Sequence, residues 1–205
     1  MEQIFEYLSS TIVPKSDLEY TSNFELLVAV ILSAQATDVG VNKVTRELFP
    51  IANTPQKILD LGYDKFENLI KRIGLYRSKA QNIFKTCQIL IDKYGGEIPR
   101  TREELEALHG VGRKTANVVL NIAFGELTIA VDTHIFRVSN RMGLVKAPTP
   151  EKTELELMKV VPKKYLKHAH HLLILHGRYT CMARKPKCAG CGVIKYCEFA
   201  EKTVD

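Results

Sequence analysis

Signals that start helices recur along the whole chain, whereas the alternating pattern of a half-buried strand is nearly absent. In a capping box, a Ser or Thr side chain and a Glu three residues later each bind the other's backbone N–H. A Thr directly before Pro places a cap ahead of the first helical position. The pairs with capping-box spacing are Ser22 with Glu25, Thr101 with Glu104 and Asp64 with Glu67, and the cap–proline pairs are Thr54-Pro55 and Thr149-Pro150. The sequence therefore predicts an all-α fold.

Two glycines and one apolar segment bound individual helices. Gly95 and Gly125 follow periodic segments, at positions where a residue in the left-handed conformation closes a helix. They predict helices near 78–94 and 113–124. Phe24–Leu32 is apolar on nearly every side, which predicts a helix buried in the middle of a bundle.

Composition narrows the class of protein. Hydrophobic residues make up 45% and charged residues 25% of the 205, which is ordinary for a globular chain and excludes disordered and fibrous classes. The net charge of +6 favours a polyanionic partner without establishing one. The longest apolar run, Leu26–Leu32, is far shorter than the roughly 20 residues that span a bilayer. We expect no membrane segment or secretory signal, and an intracellular location, the cytoplasm or nucleoid in a bacterium.

The segment Leu105–Thr115 has the pattern of a helix, a tight hairpin and a second helix. Gly110 and Gly112 permit a positive φ and carry no side chain, so N–H groups at the start of the second helix can approach a DNA phosphate. The alternative is a plain corner between helices that uses glycine only for turning. The flanking helices and the basic pair Arg113-Lys114 favour phosphate binding.

Lys114 is unusually placed, because the positive end of a helix dipole disfavours a nearby cation. The same potential favours the neutral amine, which can attack an electrophilic sugar carbon. The alternative is a lysine that only contacts phosphate, and spacing alone favours that simpler role.

Asp132 directly precedes another helical pattern and follows a short β-prone stretch, 128–131, which we interpret as a connector. As an N-cap, Asp132 would stabilise its helix by on the order of 1 kcal/mol. A catalytic role would be additional, since a carboxylate near a lysine can stabilise a cationic sugar and assist proton transfer. Sequence does not show that the two residues meet. We interpret His134 as a packing residue or a phosphate contact.

Four of the five cysteines lie close together near the C-terminus: Cys181, Cys188, Cys191 and Cys197. In a reducing compartment this spacing indicates a metal site more than disulfides, and it fits tetrahedral zinc and a cubane iron–sulfur cluster about equally. The loop between the first two cysteines is basic. Either it is displayed to a partner, or it is only a solvated charge cluster. Its basic residues are Arg184, Lys185 and Lys187. Cys87 stands alone and is expected in the core.

Together these stretches closely resemble the endonuclease III family of helix–hairpin–helix DNA glycosylases, from about Phe24 to the last cysteine. The family's Leu-x-Gly-Val-Gly-Arg-Lys-Thr hairpin carries the catalytic lysine, matched by Lys114. Its Val-Asp-Thr-His segment carries the catalytic aspartate, matched by Asp132. The cysteine spacing resembles the family's site for a largely structural [4Fe-4S] cluster, and this resemblance selects iron–sulfur over zinc. His109 stands where the family usually has proline. The histidine makes the hairpin less rigid or supplies a hydrogen-bond donor to phosphate.

The resemblance also implies DNA contacts. Gln35 matches the glutamine that enters the space left by a flipped nucleotide, and Leu75 matches the adjacent wedge loop. Such side chains prolong the opened state of the duplex, because extrusion of a nucleotide costs stacking and pairing energy. The other implied contacts are His109, Gly110, Val111, Gly112, Arg113, Thr115, Arg184, Lys185 and Lys187.

The resemblance further implies two helical domains with DNA lying across the cleft between them. One domain is 19–128 with the hairpin at about 108–114, and the other is 1–18 with 129–205, which carries the cluster. The implied activity is a bifunctional glycosylase and AP lyase, acting as a monomer on double-stranded DNA with a damaged pyrimidine or an abasic site. One alternative is a glycosylase without lyase activity, such as the related adenine mismatch enzyme, which usually lacks the lysine. The other is a DNA-binding module without chemistry.

Overall fold

The computed structural model describes residues 1–203, and the regular structure in that range is helical throughout. The helices are α1 (Glu2–Thr11), α2 (Asn23–Ser33), α3 (Asp38–Leu48), α4 (Pro55–Leu61), α5 (Tyr63–Ile70), α6 (Tyr76–Tyr94), α7 (Arg102–Glu106), α8 (Arg113–Phe124), α9 (Thr133–Met142), α10 (Pro150–Val160) and α11 (Lys163–Tyr179), with a 3-10 turn at Ile194–Tyr196. The predicted all-α fold is confirmed. Within the same range, no helix is both long enough and apolar enough to cross a bilayer.

Side-chain caps start most of the helices that the sequence predicts. The four predicted hydroxyl caps each accept the backbone N–H three residues on, at 3.1 to 3.3 Å: Ser22, Thr54, Thr101 and Thr149. The cap expected at Asp64 is wrong, because the N-cap of α5 is Gly62, two residues earlier, with φ +84°. Asp64 instead lies in the first turn, where its carboxylate faces the positive end of the helix dipole.

The predicted helix ends are confirmed. Gly95 closes α6 with φ +59°, and Gly125 follows α8 with φ +71°. α8 has the predicted bounds, and α6 begins two residues earlier than predicted, at Tyr76. Residues 128–131 are buried and form neither helix nor strand, which confirms the connector.

Ser16–Phe124 forms one compact unit, here called the hairpin unit, which contains α2 to α8. α2 lies at its centre, because every residue from Phe24 to Leu32 is buried and α3, α6 and α8 pack against it. The same core contains Cys87, whose burial raises the pKa of its thiol to about 12. The predictions of a central buried helix and a core cysteine are confirmed.

Met1–Lys15 and the chain from Gly125 onward form the second compact unit, here called the cysteine unit. α1 and α9 both pack on α11, and α10 packs on α9. α9 and α11 approach closely at Gly177, where an added Cβ would lie 3.0 Å from Val138 Cγ2. The domain boundaries that the resemblance implies, at 18/19 and 128/129, stay predictions, and the compact units divide at 15/16 and 124/125.

Candidate functional site

The hairpin between α7 and α8 is held from inside by its own apolar residues. Val111 N–H donates to the Leu108 carbonyl at 3.2 Å, and both side chains are buried in the core of the hairpin unit. Gly110 between them has φ +77°, a conformation that costs a residue with a Cβ about 1–2 kcal/mol. The chain therefore turns sharply at Gly110 and delivers Arg113 to the start of α8.

α6 fixes the outer side of the hairpin. The Thr86 hydroxyl donates to the His109 carbonyl at 3.0 Å. A Cβ added at Gly110 would lie 3.0 Å from the Asn82 Cβ, closer than side chains normally pack, whereas one added at Gly112 would meet nothing within 4 Å. Gly110 is thus needed for the fold of the hairpin, and Gly112 leaves the backbone open to a ligand.

Lys114 lies in the first turn of α8 and is exposed. The first N–H groups of any helix lack an intrahelical partner, so this end of α8 is suited to an anion. Among the other predicted contacts here, His109 and Gly112 are exposed, Arg113 and Thr115 are half-buried, and Val111 is buried. The side chain of Val111 is therefore not available to a ligand.

Asp132 is the N-cap of α9 and is nearly enclosed, with its side chain 10% exposed. Its Oδ1 accepts the His134 N–H at 2.9 Å and the Ile135 N–H at 2.8 Å. Its Oδ2 lies 3.1 Å from Nδ1 of the His134 imidazole. The expected cap is confirmed, and His134 has a role that the sequence did not suggest, as a side-chain partner of Asp132.

Three residues other than glycine in the described range have a positive φ: Gln35 at 54°, Leu75 at 58° and Lys185 at 50°. All three are residues that the resemblance implies in DNA contact. Such conformations are held only where the surroundings determine them strongly, and they concentrate at functional sites. Gln35 and Leu75 are both exposed, and a Cβ on Gly74 would lie 3.7 Å from the Gln35 carbonyl, so the two turns are neighbours.

Two arginines of α9 hold the loop that follows the first cysteine. Arg137 donates to the carbonyls of Gly177 and Cys181 at 2.9 and 3.1 Å. Arg141 donates to the carbonyls of Met182 and Ala183 at 2.7 and 3.0 Å. The loop's basic side chains, at Arg184, Lys185 and Lys187, are exposed. Sequence reasoning missed both arginines, and their spacing of one helical turn on α9 was the available signal.

The four clustered cysteines line one cavity. In the described range, no three His, Cys, Asp or Glu side chains are close enough together to hold a single metal ion. The four thiols nevertheless face the same cavity. Burial raises the pKa of the Cys181 and Cys191 thiols, and Arg141 partly offsets this at Cys181. A bound cluster would hold them as thiolates, and four sulfur donors around one cavity match the ligand set of an iron–sulfur cluster.

Known protein sequences match nearly the whole chain. Residues 28–163 match the family model of the HhH-GPD superfamily base excision DNA repair proteins. The endonuclease III of Haemophilus influenzae is 62% identical over 189 residues, which are 92% of this chain and 90% of that protein. The endonuclease III of Escherichia coli K12 is 58% identical over the same shares of the two chains.

Solved structures match the fold over a similar extent. A trapped covalent intermediate of endonuclease III with DNA has a TM-score of 0.90 and 45% identity, covering 96% of this chain and 93% of the other. A non-covalent endonuclease III–DNA complex has the same TM-score and identity, covering 96% and 92%. A thermostable thymine-DNA glycosylase has a TM-score of 0.83 and 26% identity, covering 97% and 93%.

Proposed function

We propose that this chain, which belongs to the endonuclease III family within the HhH-GPD superfamily of base excision DNA repair proteins, is a bifunctional DNA glycosylase and AP lyase. The observation that carries the proposal is the exposed lysine in the first turn of α8, behind a glycine hairpin suited to a phosphate, in a chain 62% identical to an endonuclease III. The substrate is double-stranded DNA with an oxidised or ring-saturated pyrimidine, or with an abasic site. The enzyme works inside the cell, where that DNA lies.

DNA is held through its backbone at two places. At the hairpin, N–H groups around Gly112 and the start of α8 bind a phosphate, with His109, Arg113 and Thr115 beside it. At the cysteine unit, a basic loop binds a second stretch of DNA backbone through Arg184, Lys185 and Lys187. Arg137 and Arg141 hold this loop in place. Such contacts fix the register of the protein on the duplex and carry no sequence information, as a repair enzyme requires.

The damaged nucleotide is then turned out of the stack, and Gln35 and Leu75 enter the space that it leaves. Both side chains are exposed on turns that lie next to each other, so they reach the same gap. Extrusion costs a few kcal/mol of stacking and pairing energy, and a damaged base loses less of it than an intact one. The plug therefore prolongs an opening that damage has already made easier.

Lys114 performs the covalent chemistry. Its neutral amine attacks C1′ of the extruded nucleoside, and the bond from C1′ to the base breaks, so the base leaves with the electron pair and takes up a proton. The nitrogen then loses a proton, the C1′–O4′ bond breaks, the ring oxygen takes up a proton, and a protonated Schiff base remains between the nitrogen and C1′. Loss of the C2′ proton then drives β-elimination, which breaks the bond from C3′ to the phosphate oxygen. Asp132 stabilises the positive charge on the sugar and helps to activate the amine.

The four cysteines hold a [4Fe-4S] cluster, as the family membership and the shared cavity support. When bound, the cluster supplies a cationic core that keeps the four thiolates together and pins the basic loop between the first two of them. Iron and sulfide analysis of purified protein tests this assignment. About four of each per chain supports the cluster, and stoichiometric zinc without sulfide contradicts it.

The activity is tested with a duplex that contains one thymine glycol and with an undamaged duplex of the same sequence. We expect free damaged base and a strand cut by β-elimination from the first duplex, and neither product from the second. Base release without strand cleavage would instead support a glycosylase without lyase activity. Binding without either product would support a DNA-binding module.

The two hairpin glycines give a matched pair of variants. Gly112→Ala is expected to leave the thermal stability unchanged, because a Cβ there meets nothing within 4 Å, and to weaken duplex binding about tenfold by blocking a charge-assisted hydrogen bond to phosphate. Gly110→Ala is expected to lower the stability by about 1–2 kcal/mol, because of its positive φ and the contact with Asn82. Thermal melting and fluorescence anisotropy with labelled duplex measure both quantities. Unchanged affinity in Gly112→Ala would contradict phosphate binding at this turn.

A further inference from the structure

Lys79 in the first turn of α6 has an environment that is unusual for a lysine. It is 5% exposed, and it is the one lysine buried in the part of the chain that the structure describes. Its ammonium donates to the Leu32 carbonyl at 2.8 Å and to the Ala34 carbonyl at 2.5 Å. Those two carbonyls lie where α2 ends, immediately before Gln35.

The contact is favourable for α2. The last carbonyls of a helix have no intrahelical donor, and a cation there also interacts with the negative end of the helix dipole. The cost is that burial removes the ammonium from water, and burial lowers the pKa of Lys79. An apolar side chain of similar length would avoid that cost but would leave two carbonyls of the turn without this donor.

The backbone of Lys79 is tied to the other positive-φ turn. Its N–H donates to the Leu75 carbonyl at 3.1 Å, so Lys79 closes the first turn of α6 behind Leu75. The ammonium meanwhile holds the carbonyls on the N-terminal side of Gln35. One residue thus connects two exposed side chains whose backbones both have the left-handed conformation. Neither residue is a glycine, so each conformation is strained and persists only if its surroundings enforce it.

We infer that Lys79 is a positioning residue for duplex opening, which holds the Gln35 turn against the Leu75 turn so that both side chains enter the gap together. The inference rests on the proposed function. It assigns Lys79 no contact with DNA and no part in the covalent chemistry. Loss of the Lys79 ammonium therefore slows excision only by misplacing Gln35 and Leu75. Once those two side chains are removed, the same loss has little effect on the rate.

The test is a double-mutant cycle on a duplex with one thymine glycol, measured as single-turnover excision. Lys79→Met is expected to slow excision by on the order of tenfold, since two charge-assisted hydrogen bonds are lost. In a background that carries Gln35→Ala and Leu75→Ala, the same substitution is expected to change the rate less than about twofold. Lys93→Met, which removes an exposed lysine from the other end of α6, is the matched control and is expected to change neither rate.

Rates are expressed per active site, counted by borohydride trapping on an abasic duplex, so partial unfolding does not enter them. If Lys79→Met slows excision equally in both backgrounds, or does not slow it in the parent background, the inference is overturned. Excision by the parent protein leaves the proposed function intact in either case. If the parent protein excises nothing, the proposed function itself fails. Should Lys79→Met fail to fold, Lys79→Gln, which keeps a shorter neutral donor, is judged by the same cycle and the same outcomes.

Discussion

Lys114→Ala is expected to lower the rate of lesion excision by on the order of 10³-fold or more, while affinity for the damaged duplex changes less than about threefold. The physical reason is that the amine is the nucleophile, whereas binding rests on the hairpin N–H groups and on the basic loop. Single-turnover base release, with anisotropy on the same duplex, measures the two quantities separately.

The control for Lys114→Ala is Lys93→Ala, which removes another exposed lysine from the hairpin unit. It is expected to leave excision unchanged. If Lys114→Ala lost affinity and excision to the same extent, the lysine would be a phosphate contact, which is the simpler role that its spacing also allows. Retained excision with lost strand cleavage would leave Lys114 only in the lyase step.

Asp132→Asn is expected to slow excision by on the order of 10²-fold at nearly unchanged stability. An asparagine keeps an oxygen that can accept the His134 and Ile135 N–H groups, so the cap of α9 survives and only the charge is removed. Asp132→Ala removes both the charge and the acceptor oxygen. It is therefore also expected to lower the free energy of unfolding by about 1 kcal/mol, which lowers Tm by roughly 2–4 °C. Thermal melting and single-turnover excision distinguish the two variants.

Thr149→Ala is the matched control for the cap, because Thr149 caps α10 in the same unit through the Lys152 N–H at 3.2 Å. It is expected to show a similar loss of stability and no loss of excision per folded molecule. Asp132→Asn with parental excision would reduce Asp132 to the capping role that the structure shows. Loss of stability in Asp132→Asn equal to that in Asp132→Ala would mean that the charge, rather than the acceptor oxygen, makes the cap.

The parts of the fold that the sequence predicts are those set by local interactions. The hydroxyl caps at Ser22 and Thr101 and the terminal glycine at Gly95 act within one turn of chain, so their patterns are sufficient. Asp64 shows the limit, because the backbone turn at Gly62 starts α5 two residues earlier than a cap at Asp64 would, and Asp64 therefore lies in the first turn of the helix. The hairpin and the Asp132 cap were predictable for the same local reason.

The parts that the sequence does not reveal are set by tertiary contacts. Gln35 and Leu75 have side chains that ordinarily avoid a positive φ, so nothing local predicts their left-handed backbones. In the sequence, Lys79 resembles a surface residue of an amphipathic helix. Only the packing of α6 on α2 shows that its ammonium is buried. The resemblance predicts that the Gln35 and Leu75 side chains contact DNA, and the structure shows that Lys79 connects their two turns.

Borohydride trapping on a duplex with one thymine glycol, comparing the parent with Lys114→Ala, tests whether Lys114 is the nucleophile. Reduction of a Schiff base gives a stable covalent link between protein and DNA, and neither binding nor base release through water does so. We expect a cross-linked species with the parent and none with Lys114→Ala. A parent that binds the duplex and gives no cross-link, or a variant that still gives one, would contradict the assignment of Lys114 as the nucleophile.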